Sequence, residues 1–296
     1  MAWTNYHCHC DLCDGEEGMR AYVEAALDRG FSALGFSSHA PLPFPASWCL
    51  GRGARPAALE SYRREVDVLR RFYRGRIDVR AGLEVDYIPG LMGPSDSAFA
   101  AFDYRIGSIH FVGATAEGRP WQMDDTPETF ARGLSEQYDG DIRPLVADYY
   151  RALIDMVRFE RPEIVGHLDL VKKYNKAGRY FDEGEAWYVN LVDGALRAIA
   201  ESGCLVELNT GGMARGWTEE PYPSPWILRR CRDLGIPMVL DSDCHRSADI
   251  DFGFREAAKL LLSCGYSEIM ELGAGGWSPA AFDERGLKPG PMTSAA

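Results

Sequence analysis

The sequence has no apolar run long enough to cross a bilayer, and its amino-terminus lacks the basic stretch followed by an apolar segment that marks a signal peptide. It also has no low-complexity tract, no internal repeat and no linker rich in glycine, serine or proline between two cores. Basic residues are in deficit, with 32 Lys and Arg against 44 Asp and Glu, so the net charge of −12 disfavours binding to nucleic acid or to an anionic membrane surface. We therefore expect one cytoplasmic domain with neither nucleic acid nor membrane as a partner.

Histidine is scarce, with six residues in a chain of 296. All six lie beside strand-like apolar runs, in short clusters that also contain acidic residues. The clusters are His7-Cys8-His9 with Asp14, then His39, Glu84, His110, His167, and Asp243-Cys244-His245. Because a neutral imidazole nitrogen binds divalent metals and a carboxylate can bridge two of them, this pattern predicts a multinuclear hydrolytic centre.

Eight cysteines would permit disulfides, but in a reducing cytoplasm they are expected to be free thiols. Three of them, Cys8, Cys10 and Cys13, lie beside His7 and His9 in the sequence. These five residues could form a structural zinc site, although a closed tetrahedral site usually needs a second pair of ligands to complete it. A structural zinc ion therefore remains an alternative for this segment.

Strand-like and helix-like segments alternate along the chain. The predicted strands are 3–8, 33–37, 77–83, 104–109, 164–166, 205–208 and 237–240, and the predicted helices are 19–29, 57–73, 145–159, 184–202 and 225–234. Short buried strands that alternate with helices indicate a parallel sheet, either open or closed into a barrel. We expect one domain over residues 1–272 and a loosely ordered tail over 273–296, with residues 111–143 as an excursion that folds over the site.

Polar residues at the ends of the predicted strands favour the barrel. They are His7 and His9 after the first strand, His39 after the second, Glu84 after the third, His110 after the fourth, His167 after the fifth, Glu207 and Asn209 at the sixth, and Asp243 and His245 after the seventh. In a β/α barrel all strands end at one rim, so ligands spread along the sequence converge there. An open sheet would concentrate them at its switch point instead.

The spacing within the clusters supports metal binding. His7 and His9 are two residues apart, so a strand projects both imidazoles to the same face, and Asp243 and His245 repeat this arrangement. Other interpretations stay open for two acids. Asp14 could cap a helix that follows it, and Glu84 could form an ion pair with an arginine rather than bridge two metals.

Seven segments, in order, resemble the polymerase and histidinol phosphatase (PHP) family. They are His7-x-His9 with Asp14-Gly15, 38–43 (SHAPLP), 82–87 (GLEVDY), 102–112 (FDYRIGSIHFV), 166–169 (GHLD), 207–212 (ELNTGG) and 243–245 (DCH). The match runs from residue 5 to about residue 265, and residues 222–224 (YPS) are similar to the histidinol-phosphate phosphatase branch. The resemblance implies a distorted seven-stranded β/α (TIM-like) barrel.

The resemblance also implies three divalent metal ions, for which zinc, iron and manganese are all compatible. Transferred to the matching positions, the ligand sets are His7, His9, Glu84 and Asp243; Glu84, His110 and His167; and Asp14, His39 and His245. Two metals about 3.5–4 Å apart would lower the pKa of a bridging water, so that hydroxide can attack phosphorus in line. Glu84, Asp243 and His245 are accordingly the predicted catalytic residues.

The reaction that this resemblance implies is hydrolysis of a small phosphate monoester, L-histidinol phosphate, to L-histidinol and phosphate in histidine biosynthesis. Among the basic residues Lys172, Lys173, Arg179 and Arg215, we select Lys173 and Arg215 to bind phosphate. The family pattern favours arginine near Lys173, and lysine there replaces a bidentate fork by a point charge. Ser38 is a second departure, because many relatives have an acid at that position.

Other functions and roles stay open at this point. The same chemistry could act on another small phosphate ester, and Lys173 and Arg215 could simply be solvated surface residues. A catalytically idle, metal-binding regulatory domain is a further alternative, although all nine ligand positions are intact. A nuclease or proofreading role conflicts with the acidic charge balance.

Overall fold

The computed structural model describes residues 2–53, 55–115 and 118–289. Its strands are β1 (Thr4–Asn5), β2 (Ala33–Phe36), β3 (Asp78–Asp86), β4 (Tyr104–Ser108), β5 (Phe111–Ala114), β6 (Pro120–Gln122), β7 (Ile164–Val165), β8 (Leu205–Asn209), β9 (Met238–Asp241), β10 (Glu268–Gly273), β11 (Gly276–Asp283) and β12 (Gly286–Leu287). Its α-helices are α1 (Met19–Asp28), α2 (Arg55–Phe72), α3 (Pro127–Tyr138), α4 (Ile142–Asp155), α5 (Ala186–Ser202), α6 (Gly211–Ala214), α7 (Pro225–Asp233) and α8 (Phe254–Ser263).

Seven of the strands form a parallel sheet in the order β1, β2, β3, β4, β7, β8, β9. The outer strands of this sheet approach each other. The Tyr6 amide donates to Asp241 Oδ1 over 2.5 Å, and the His9 amide donates to the Cys244 carbonyl over 3.0 Å. The sheet is therefore a nearly closed barrel, which confirms the predicted fold.

The sequence pattern explains these elements. Strands β2 and β8 are buried along their whole length, as expected for parallel strands covered on both faces. Helix α1 buries Met19, Tyr22, Val23 and Ala26, which recur at intervals of three and four residues and so form one apolar face. Among the described residues, no helix combines the length and apolarity needed to cross a membrane.

Tyr104 forms the floor of the barrel near the amino ends of the strands. Its hydroxyl donates to the Tyr6 carbonyl over 2.5 Å, and a Cβ atom added at Gly35 or Gly82 would overlap its ring. Trp277 of β11 packs edge-on against both tyrosines, with ring centroids 5.0 Å from Tyr6 and 6.0 Å from Tyr104. Because these rings close this end, a site can open only at the carboxyl ends of the strands.

The carboxyl-terminal segment differs from the prediction. Strands β10, β11 and β12 form an antiparallel sheet, in which Phe282 is buried and the Leu287 amide donates to the Ala2 carbonyl over 2.7 Å. The segment is ordered because Trp277 and Phe282 bury apolar surface despite the surrounding glycine, alanine and proline. The expectation of a loose tail is therefore wrong for residues 276–287. The domain boundary at residue 272 remains a prediction, and residues 290–296 lie outside the described residues.

Candidate metal centre

The nine predicted ligands meet at the carboxyl end of the barrel. Side chains of His, Asp and Glu form four groups whose candidate ligand atoms lie within 4.8 Å of one another. The groups are His9, Asp14, His39 and His245; His7, His9 and Asp243; Glu84, His110 and His167; and His39, Asp86 and His110. Three of these groups closely match the predicted ligand sets, although Glu84 is grouped only with His110 and His167, His9 joins the third set, and Asp86 was not predicted.

Glu84 lies at the centre of the site, buried at the end of β3. Its Oε2 atom is 3.2 Å from His7 Nε2 and 3.4 Å from His9 Nε2. Its Oε1 atom is 3.0 Å from His167 Nε2 and 3.5 Å from His110 Nε2. Oε2 also lies 3.0 Å from His39 Nδ1. The two oxygens of one carboxylate therefore face different sets of imidazoles, and no arginine pairs with Glu84 among the described residues. This is the geometry of a carboxylate that bridges two cations.

Asp243 follows β9 by two residues and faces His7 and His9. Its Oδ1 atom is 3.3 Å from His9 Nε2 and 3.7 Å from His7 Nε2. The backbone of Asp243 has a φ of 48°, which is unfavourable for a residue other than glycine. Strain of this kind persists where the surrounding structure imposes it, commonly at functional sites.

Two buried nitrogen atoms show that a divalent cation fits this site. Among the described residues, His7 Nε2 and His9 Nε2 have no hydrogen-bond partner, although oxygens of Glu84 and Asp243 lie 3.2–3.7 Å away. Burial opposes a charge on His7, but Glu207, Asp243 and Glu84 outweigh it and raise its pKa well above the usual value. Imidazole nitrogens and carboxylates that converge on one point in so negatively charged a site are a typical donor set for a divalent metal.

Asp14 belongs to the group with His9, His39 and His245 and does not cap α1, whose preceding residue is Gly18. Its carboxylate lies 3.2 Å from His245 Nε2, 3.4 Å from His9 Nδ1 and 3.6 Å from His39 Nε2. Burial favours the neutral form of Asp14, but these histidines lower its pKa below the usual value. The capping interpretation of Asp14 is therefore excluded.

Two carboxylates form hydrogen bonds with imidazoles of the predicted ligands. Glu207 Oε2 is 2.8 Å from His7 Nδ1, and Asp86 Oδ1 is 2.8 Å from His110 Nδ1. Each hydrogen bond leaves the Nε2 atom to face the cluster and fixes the orientation of the ring. The sequence contained a signal for Asp86, because it lies two residues after Glu84 on β3 and shares its face. The position of Glu207 at a strand end does not by itself indicate its hydrogen bond with His7.

The predicted phosphate-binding residues both line the cavity above the cluster, which has a volume of about 330 Å³. Arg215 donates to Asp243 Oδ2 over 2.8 Å and to the Asp243 carbonyl over 2.9 Å. Lys173 Nζ lies 3.1 Å from Asp124 Oδ2. Lys172 is buried beside Asp169, with its Nζ atom 2.9 Å from Asp169 Oδ2, and does not line this cavity.

Several cavity residues could not be predicted as a group from the sequence. They are Trp48, Gln122, Asp124, Asp125, Leu170, Gly212, Trp217 and Tyr222. Gln122 ends β6, and Asp124 and Asp125 follow it, which confirms that the excursion over residues 111–143 reaches the site. The sequence signal for Gln122, Asp124 and Asp125 was weak because residues 111–143 contain no histidine at the end of a strand.

The structure does not support a structural zinc site at the amino-terminal cysteines. No cysteine joins any candidate metal group among the described residues, and Cys8 Sγ instead lies 3.3 Å from Cys244 Sγ. All eight cysteines are free. The Ser38 hydroxyl is buried 3.4 Å from Cys10 Sγ and does not line the cavity, so this departure from the family lies away from the space for a ligand.

Comparison with known proteins identifies similar chains. The model of the PHP domain family matches residues 5–211. A Deinococcus radiodurans protein named "Probable histidinol-phosphatase" is 33% identical over 264 residues, which cover 88% of this chain and 92% of that one. The Bacillus subtilis protein named "Histidinol-phosphatase" is 31% identical over 261 residues, which cover 84% and 95% of the two chains.

A solved structure shares the fold. It is the crystal structure of histidinol phosphate phosphatase from Lactococcus lactis, complexed with zinc, L-histidinol and phosphate. The two structures superpose with a TM-score of 0.65 over 97% of this chain and 99% of that chain, at 22% sequence identity. The architecture is therefore common to both proteins along nearly their whole length.

Proposed function

The chain belongs to the PHP domain family, and on that premise we propose that it is a metal-dependent phosphomonoesterase that hydrolyses L-histidinol phosphate to L-histidinol and phosphate. The relatives in Deinococcus radiodurans and Bacillus subtilis carry this activity in their names and align over more than four fifths of the chain. The proposal rests above all on the central position of Glu84, whose two oxygens face different sets of histidines. The reaction would be a step of histidine biosynthesis.

The site binds divalent metal ions, and we assign three of them to its ligand groups. The proposed ligand sets are His7, His9, Glu84 and Asp243; Glu84, His110 and His167; and Asp14, His39 and His245. Zinc, iron and manganese are all compatible, because imidazole and carboxylate ligands accept each of these ions. When bound, such ions lower the pKa of water and polarise a phosphoryl oxygen.

The protein residues position the substrate and balance charge around this centre. Glu84, Asp243 and His245 are the proposed catalytic residues, since all three line the cavity beside the other proposed ligands. Asp243 also orients Arg215 through two hydrogen bonds, so the guanidinium lies at the cavity wall, ready to bind a phosphate oxygen. Lys173 supplies a second positive charge at the same cavity.

The acidic charge balance and the free cysteines support the proposed location and the proposed partners. We assign the protein to the cytoplasm, where reduced thiols are the rule, and expect neither nucleic acid nor membrane as a partner. An idle regulatory role is disfavoured, because a domain without catalysis has no need of nine converging ligands in an open cavity.

A panel of phosphate esters tests the proposed substrate. We expect the purified protein to release phosphate from L-histidinol phosphate with a kcat/KM at least about tenfold higher than from glycerol phosphate or p-nitrophenyl phosphate. The reason is that the cavity also contains a charged pair outside the metal groups, Lys173 and Asp124. A simple ester has no group that would contact both of these charges. A better kcat/KM on another ester would preserve the chemistry and remove the substrate assignment, and no release from any ester would favour the idle domain.

A further inference from the structure

We infer that Asp124 determines specificity by binding the ammonium group of the substrate, an inference that rests on the proposed phosphatase function. Asp124 follows β6 in the excursion over the barrel and lines the cavity together with His110, His167 and Lys173. It belongs to none of the candidate metal groups. The residue is therefore placed to contact the substrate without being needed to hold a metal.

The charge of Asp124 has no use in binding phosphate. Burial favours its neutral form, but Lys173 and His110 outweigh burial and lower its pKa to about 2, so the side chain is a carboxylate at neutral pH. A carboxylate at the wall of a phosphate cavity repels the dianion. It becomes useful when the substrate carries a cation close to its phosphate, as L-histidinol phosphate does with the amine on the carbon next to its ester carbon.

The hydrogen bonds of Asp124 leave room for such a cation. Gln122 Nε2 is 3.3 Å from Oδ1, and Lys173 Nζ is 3.1 Å from Oδ2, so each oxygen has one modest partner and a further lone pair. The side chain is 13% exposed, on the cavity side. Trp217 and Trp48 add aromatic faces to the same cavity, which are suited to a cationic or aromatic ligand.

The alternative role is structural, namely that Asp124 only anchors the excursion to the barrel. The backbone carbonyl already performs this task, since it accepts from Lys173 Nζ over 2.6 Å and from the Tyr174 hydroxyl over 2.7 Å. Neither bond uses the carboxylate. Asp124→Asn therefore removes the charge while both anchors remain, so the two roles can be separated.

The test compares two esters that differ only in the amine, L-histidinol phosphate and its deamino analogue, 3-(imidazol-4-yl)propyl phosphate. For Asp124→Asn we expect kcat/KM on L-histidinol phosphate to fall about 10- to 100-fold, mainly through KM, as for loss of a charge-assisted hydrogen bond. On the deamino analogue, kcat/KM should change less than about threefold. Glu128→Gln is the control, because it removes one charge from the same segment at an exposed position outside the cavity.

Equal losses on both esters would overturn the inference and assign Asp124 a structural role. A loss of kcat/KM on neither ester, which also leaves the preference for the amine unchanged, would overturn it as well. Failure of the proposed function gives a different result, namely a wild-type rate on L-histidinol phosphate no better than on unrelated esters. The inference about Asp124 is then decided separately, by whether the variant loses the wild-type discrimination between the two matched esters.

Discussion

Glu84→Gln is expected to lower kcat by about three orders of magnitude, because the variant loses the charge that we propose holds two metal ions at one centre. The carboxylate is buried among five imidazoles, and among the described residues no other acid approaches both the pair formed by His7 and His9 and the pair formed by His110 and His167 as closely. A neutral amide keeps the volume and one oxygen but binds divalent cations poorly. Phosphate release and metal content after dialysis measure the effect together.

The fold of this variant should persist, since glutamine can still accept the hydrogen bond that the Ser108 hydroxyl donates to Glu84 Oε1 over 2.7 Å. Glu24→Gln is a suitable control, because it neutralises an exposed acid on α1 whose partners are Arg20 and the Tyr73 hydroxyl, and its activity should match the wild type. If Glu84→Gln retained both its metal content and more than roughly a tenth of its activity, Glu84 would not be the bridging ligand.

His110→Ala is expected to abolish turnover while the barrel remains folded. The imidazole follows β4 and lies 3.5 Å from Glu84 Oε1, whereas the floor made by Tyr104, Tyr6 and Trp277 lies at the opposite end of the strands. The variant should bind about one metal ion fewer per chain, as measured by elemental analysis, and keep its circular dichroism spectrum.

The variant also leaves Asp86 without its hydrogen-bond partner, so some loss of stability accompanies the loss of activity. A melting temperature recorded with each assay separates the two effects. Activity close to that of the wild type would show that His110 is not a ligand of the second metal.

The metal centre was predictable from the sequence because its ligands follow a local rule. His39, Glu84 and His110 each come at or just after the end of a buried strand, and parallel strands of a barrel end at one rim. The residues that shape the cavity follow no such rule. Asp124 reaches the site only through the β5–β6 hairpin, and Trp48 only through a loop that packs its ring 4.7 Å from that of His39.

Composition misled the prediction at the carboxyl-terminus. The segment after Gly273 is rich in glycine, alanine and proline, yet Trp277 closes the barrel floor through contacts with residues about 170 and 270 positions earlier. Contacts so distant in sequence leave no local pattern. Asp86 is an intermediate case, since its position two residues after Glu84 indicated a shared face but not its hydrogen bond with His110.

Elemental analysis of the purified protein, after loosely bound metal has been removed by gel filtration, tests whether the centre holds several metal ions. We predict about three divalent ions per chain, because the three proposed ligand sets converge at the carboxyl end of the barrel and Glu84 belongs to two of them. Fewer than two tightly held ions per chain would contradict a multinuclear centre, whatever the activity of the protein towards L-histidinol phosphate.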